Sequence, residues 1–141
     1  MSRRSDQRRD AAFALYESEI SGRELSEVLA ASEAAEFTRA LAGAADSNRG
    51  ELEGLIARNA TGWELGRIAA LERSIMLVAL AEVACADEIP SETPIPPAGA
   101  IDEAVDVAKE YCGSGAPAFV NGVLDAAFAE LRQNPGGDEQ P

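Results

Sequence analysis

Residues 71–86 are apolar on almost every side: Leu71, Ile75, Met76, Leu77, Val78, Leu80 and Val83 leave no clear polar face. A helix of that kind has to be surrounded by other elements. Its longest apolar run, residues 75–81, is far too short to cross a bilayer. The chain must therefore wrap its remaining segments around this one. With 141 residues it has the length of one domain with a modest single core. Twenty-eight alanines, against few β-branched and aromatic residues, favour closely packed helices over sheet. The expected fold is all-α, with six or seven helices forming two small bundles that share the buried central helix.

The flanking segments fit that plan. A first helix is expected from about residue 6 to 18 or 20, with Ala12, Leu15, Tyr16 and Ile20 on one face and Ser21-Gly22 as its stop. A short helix follows over residues 25–29. The next spans about 34–45, and its pattern continues through Leu52, Leu55 and Ile56, with Asp46-Ser47-Asn48 as a break or an exposed turn. Thr61-Gly62 signals another turn, after which Trp63 begins a short segment ending near Ile68. Residues 89–99 contain Pro90, Pro94, Pro96 and Pro97 and read as a loop. Residues 1–132 form the expected domain, and the Gly-, Pro- and acid-rich residues 133–141 read as a disordered tail.

Composition removes several chemistries. The chain has no histidine, hence neither the commonest general base nor the commonest metal ligand. It has no phosphate-binding or dinucleotide-binding glycine motif. Its many carboxylates read as a solvated surface rather than acid–base catalysts. Cys85 and Cys112 follow no metal or redox spacing and are expected as two buried structural thiols. No cofactor, metal or catalytic residue is expected. Nothing at the N-terminus resembles a secretion signal, so a cytoplasmic location is expected.

Charge is distributed unevenly. Residues 1–9 carry Arg3, Arg4, Arg8 and Arg9 against Asp6, whereas the remaining residues hold 8 basic and 24 acidic side chains, a net −16. That polarity suits a local nucleic-acid contact at the N-terminus and argues against a protein that coats RNA broadly. By charge alone, a solvated terminus without a specific role explains the arginines slightly better.

Residues 100–125, AIDEAVDVAKEYCGSGAPAFVNGVLD, read as two amphipathic helices joined by a glycine-containing turn. Ile101, Ala104, Val105 and Ala108 form the apolar stripe of the first. Phe119, Val120, Val123, Leu124, Ala127, Phe128 and Leu131 form that of the second, entered through Pro117. Gly122 lies inside the second helix, where glycine costs about 1 kcal/mol against alanine. The expected reason is a close helix crossing or the close approach of a ligand.

This string resembles the signature of the NusB family of bacterial transcription antitermination factors: Ile101 through Lys109, then Gly113 and Gly115, then Phe119-Val120-Asn121-Gly122-Val123-Leu124-Asp125. The resemblance extends upstream to Arg9 with Ala14-Leu15-Tyr16, and to Leu71-Glu72-Arg73 followed by Ala79-Leu80-Ala81-Glu82. It implies a non-catalytic factor that recognises single-stranded boxA-like elements in nascent ribosomal RNA. The implied partners are the small-subunit ribosomal protein that acts as NusE and the RNA polymerase elongation complex. It also implies roles for individual residues. Arg3, Arg4, Arg8, Arg9, Phe119, Asn121 and Gly122 would contact RNA, and Tyr16 and Glu72 the protein partner, on two separate faces. Ala118 stands where relatives often carry a basic residue, and residues 89–99 look like an insertion.

Two other classes compete. One is a self-associating protein-interaction or ribosome-assembly adaptor with little RNA affinity, for which a second copy of the chain is the partner. The other is the NusB-like region of an rRNA cytosine methyltransferase, for whose nucleotide-binding domain 141 residues leave no room.

Overall fold

A computed structural model of the chain describes residues 3–91 and 93–133. Seven α-helices account for most of it, and no strand occurs among the described residues. They are α1 (Arg4–Ser21), α2 (Leu25–Ala31), α3 (Glu36–Ser47), α4 (Arg49–Asn59), α5 (Ala70–Ala84), α6 (Pro97–Tyr111) and α7 (Ala116–Gln133). Single 3₁₀ turns at Leu65–Arg67 and Ala86–Glu88 flank α5.

The expected central helix is α5, with every residue from Ser74 to Glu82 buried. Helices α1 and α3 pack on one side of it, with α2 resting on α1, and α4, α6 and α7 pack on the other. The two bundles thus share α5, as its lack of a polar face requires. Each fully buried Leu, Ile or Met contributes about 1.5–3 kcal/mol. Met76, Leu77 and Leu80 are fully enclosed, together with Leu15, Leu41, Ile56, Leu124 and Phe128 from the surrounding helices.

Helix ends follow local chemistry. Gly22 closes α1 with a left-handed φ of 78°, and its N–H reaches the Ser18 carbonyl. Asn48 separates α3 from α4, which makes the Asp46-Ser47-Asn48 ambiguity a break. The proline-rich loop is shorter than expected. Pro96 and Pro97 open α6 rather than preceding it, because proline lacks only an N–H that the first turn does not use. Gly99 in that turn accommodates Ile95, whose Cγ1 would lie 2.9 Å from an added Cβ. On α1 the buried side chains are Gln7, Ala11, Ala12, Ala14 and Leu15. Ile20, expected on the inner face, is instead 60% exposed. Cys85 is buried, with its thiol pushed up to about 11 by burial and then by Glu88, Asp87 and Glu51. Cys112, expected to be buried, is only partly so, because it lies just beyond the last turn of α6. Of the expected tail, Gln133 is the last residue of α7, and residues 134–141 lie outside the described residues.

Polar clamps join the layers. The Thr38 hydroxyl donates to the Gln7 carbonyl at 3.0 Å, fixing α3 on α1. Arg73 donates to the Ile68 carbonyl at 2.8 Å and pairs with Glu19, tying α1 to the start of α5. On the other bundle, Arg58 donates to Glu130 at 2.6 Å and the Asn59 side-chain amide at 2.9 Å, joining α4 to α7.

The Arg58 and Asn59 hydrogen bonds hold the Glu130 carboxyl below its ordinary value of 4.5. A carboxylate with a depressed folded pKa adds stability above its unfolded pKa and loses it as pH falls through the folded value. Urea midpoints of the native chain and Glu130→Gln should therefore differ at pH 7, the native chain being more stable. The difference should shrink as the pH is taken below 4.5. An equal gap at pH 7 and pH 3 would show that the clamp acts through shape rather than charge.

Candidate nucleic-acid interface

Arg4, Arg8 and Arg9 of the expected RNA-binding arginines occupy the first two turns of α1, where the helix rather than a loose terminus sets the direction of each, and Arg3 precedes it. Arg3, just before the helix, is the most open: its side chain is 82% exposed, with Asp6 at 3.8 Å. Arg4 is exposed but lies over the Phe37 ring at 4.1 Å and donates to the Gln7 side chain at 2.6 Å. Arg9 is held by Asp6 at 3.3 Å and Asp10 at 3.1 Å.

Arg8 points inward. It grips Glu82 of α5 with two hydrogen bonds, Nε to Oε1 at 2.7 Å and Nη2 to Oε2 at 2.8 Å, and reaches Glu103 of α6 at 3.5 Å. Only 16% of its side chain and 7% of that of Glu82 are exposed. Burial opposes the charge on Arg8, but the hydrogen bond and attraction from Glu82, backed by Glu103, more than compensate and hold its guanidinium still more firmly protonated than usual. Glu103 also accepts from the Ser5 hydroxyl at 3.1 Å. The acid in the sequence Ile101-Asp102-Glu103-Ala104 is thus a bracket between α6 and α1. Asp6, Asp10, Glu82 and Glu103 together offset much of the basic segment.

The other expected RNA residues lie elsewhere. Helix α1 runs antiparallel to α5, since Arg8 meets Glu82 and Glu19 meets Arg73. The arginines therefore sit at the C-terminal end of α5. Phe119 lies in the first turns of α7, where it lines an open groove of about 360 Å³ with Trp63, Arg67, Ile68, Ala69, Glu72 and the Gly113–Gly115 turn. This groove adjoins the N-terminal end of α5. Glu72 and Glu82 are ten residues apart, about 15 Å along the helix. The structure thus separates the arginines from Phe119. It brings Phe119 together with Glu72, which was expected on another face.

Phe119 is partly buried, and its ring meets Trp63 edge-to-face, with centroids 5.6 Å apart and planes at 62°. Asn121 and Gly122 are exposed. An added Cβ at Gly122 would meet nothing within 4 Å. No helix crosses there, which removes one of the two reasons expected for that glycine. Tyr16 is partly buried on α1 and, by the antiparallel register, lies toward the Glu72 end of α5. Phe13, one turn before it, packs edge-to-face on Tyr111 at 4.9 Å. Glu72 is close enough to Cys112 that its charge, after burial, helps to raise the thiol pKa.

The family model described as the NusB family matches residues 5–128. The chain belongs to the NusB family. It is 43% identical to a transcription antitermination protein NusB of Desulfotalea psychrophila over 53% of this chain and 49% of that protein. It is 35% identical to the corresponding protein of Symbiobacterium thermophilum over 76% of this chain and 66% of that protein. The chain thus spans between about half and two thirds of these relatives. In three dimensions it resembles Thermotoga maritima NusB, with a TM-score of 0.79, 27% identity and 92% coverage of both chains.

Two features of this NusB-family chain were missed in the sequence reading. Trp63 and Arg67 share the groove with Phe119, and an isolated tryptophan after a Thr-Gly turn was the available signal. Glu82 and Glu103 fix Arg8, and an acid beyond the first turn of the most apolar helix was the clue.

Removing one partner of a buried ion pair typically costs about 3–5 kcal/mol. Arg8→Ala should lower stability by about that amount in urea unfolding, and Arg8→Met with Glu82→Leu should recover much of it. An unchanged midpoint for Arg8→Ala would show the bracket to be dispensable. At position 122, Gly→Ala should raise stability by up to about 1 kcal/mol, since the helix gains propensity and nothing obstructs the methyl group. A lower melting temperature would overturn that.

Proposed function

We propose that this chain is a non-catalytic, RNA-binding transcription antitermination factor. It would recognise boxA-like elements in nascent ribosomal RNA together with the small-subunit ribosomal protein that acts as NusE, and join the RNA polymerase elongation complex in the cytoplasm. The observation that carries this reading is the family match over residues 5–128, whose signature block spans α6 and α7 with Asn121 and Gly122 at the surface. Residues 1–132 would form the RNA-binding domain. No helix among the described residues is long and apolar enough to cross a membrane.

The residue assignment is sharpened by the geometry. Arg3 and Arg4 are the arginines best able to reach phosphates, with Arg9 competing against Asp6 and Asp10. Arg8 organises the base of that patch. Phe119 supplies a ring for an unpaired base, Asn121 a polar edge, and Gly122 room for a close backbone. An RNA that touches both ends would cross the surface over at least about 15 Å. Tyr16 and Glu72 would meet the protein partner. The acidic body of the chain suits a basic ribosomal protein through charge complementarity.

One observation favours a second reading, an adaptor with little RNA affinity that pairs with a second copy of itself: acids of the same chain occupy Arg8 and Arg9. A titration of labelled boxA-like RNA, with and without the ribosomal protein, separates the two. The first reading expects weak binding by the chain alone and tighter, sequence-dependent binding with the partner. Arg3→Ala with Arg4→Ala should weaken binding and flatten its dependence on log salt by up to about 1.4. Equal binding of any RNA of the same length would remove the specificity. No RNA binding, with a dimer in light scattering, would favour the adaptor.

A further inference from the structure

We propose that Trp63 and Phe119 form one two-ring platform that stacks an unpaired RNA base, with Arg67 holding the adjoining phosphate. This rests on the RNA-binding reading and adds two residues that the family signature block does not contain.

Three observations point there. Trp63 is 52% exposed, one of three large hydrophobic side chains left open among the described residues. An indole in that position is available to a planar ligand, and its edge-to-face contact with Phe119 fixes the angle between the rings before anything binds. The charges around the groove are also arranged. Arg67 is exposed and makes no ion pair among the described residues, although the chain as a whole carries a net −13. The first turn of α7 holds no acid, so its N–H groups add partial positive charge beside the rings. Glu72 lines the same groove. Its carboxylate repels a phosphate, which steers the RNA backbone toward Arg67 and leaves the base to stack on the exposed indole face of the Trp63–Phe119 platform. A protein side chain could also cover two rings, but the free guanidinium and the acid-free helix start favour a polyanion.

The experiment uses the fact that Trp63 is the only tryptophan. The full chain is titrated with labelled single-stranded boxA-like RNA, and two signals are followed together: RNA anisotropy for binding and tryptophan emission for stacking. Emission should be quenched in step with anisotropy. Base–aromatic stacking strengths predict that Trp63→Ala weakens binding about tenfold while Trp63→Phe retains most of it. Arg67→Gln should weaken binding and lower its salt dependence without abolishing the quench in the native-Trp63 background. An RNA with a single abasic position should lose the quench, and Trp63→Ala should then bind it no more weakly than the native chain does. Circular dichroism melts of each variant separate folding from binding. Binding by anisotropy with unchanged emission and a normal affinity for Trp63→Ala overturns the platform and leaves the RNA reading intact. Emission that responds to the ribosomal protein but not to RNA overturns it in favour of a protein contact. No RNA binding, with or without the ribosomal protein, overturns both.

Discussion

The burial of α5 on all sides is the constraint from which the rest of the architecture follows. A helix with no polar face cannot lie on a surface, so the chain packs α1, α3, α4, α6 and α7 around it, with α2 resting on α1. The buried stretch carries one acid, Glu82, and a buried carboxylate demands a cation. Arg8 meets that demand with two short hydrogen bonds, and Glu103 adds a second acid. The junction of α1, α5 and α6 is thus an ionic bracket at the edge of an apolar core. Its geometry fixes where the remaining arginines emerge.

This bracket changes the meaning of the basic segment. Four arginines in nine residues suggest a patch of four positive charges, but one is engaged within the fold and another is held by adjacent aspartates. What remains is a narrow basic edge on an acidic body. Such an edge binds a polyanion only locally, and it gains from a second contact point. The aromatic groove at the far end of α5 is the second contact point we propose.

The same groove brings the candidate RNA and protein contacts together. Glu72 and Phe119 line one concavity although 47 positions separate them in sequence, because the α6–α7 turn packs against the start of α5. Under the proposed function, substitutions in that groove affect both proposed ligands, whereas those on the arginine edge affect the proposed RNA contact alone. The ends of α5 therefore divide the surface more naturally than any division by residue type.

The all-helical class, the central helix and the stop at Gly22 were legible in the sequence, because periodicity, propensity and capping are local properties that neighbouring residues determine. The signature block was legible for the same reason: its residues are contiguous. The true start of α6 was not read, since prolines break a helix interior yet suit its first turn, and only the register decides between the two. The inward turn of Arg8, the open space at Gly122 and the joining of Trp63, Arg67, Glu72 and Phe119 belong to the tertiary structure. Each depends on which distant helix lies opposite, and a linear pattern records what a residue is but not what it faces.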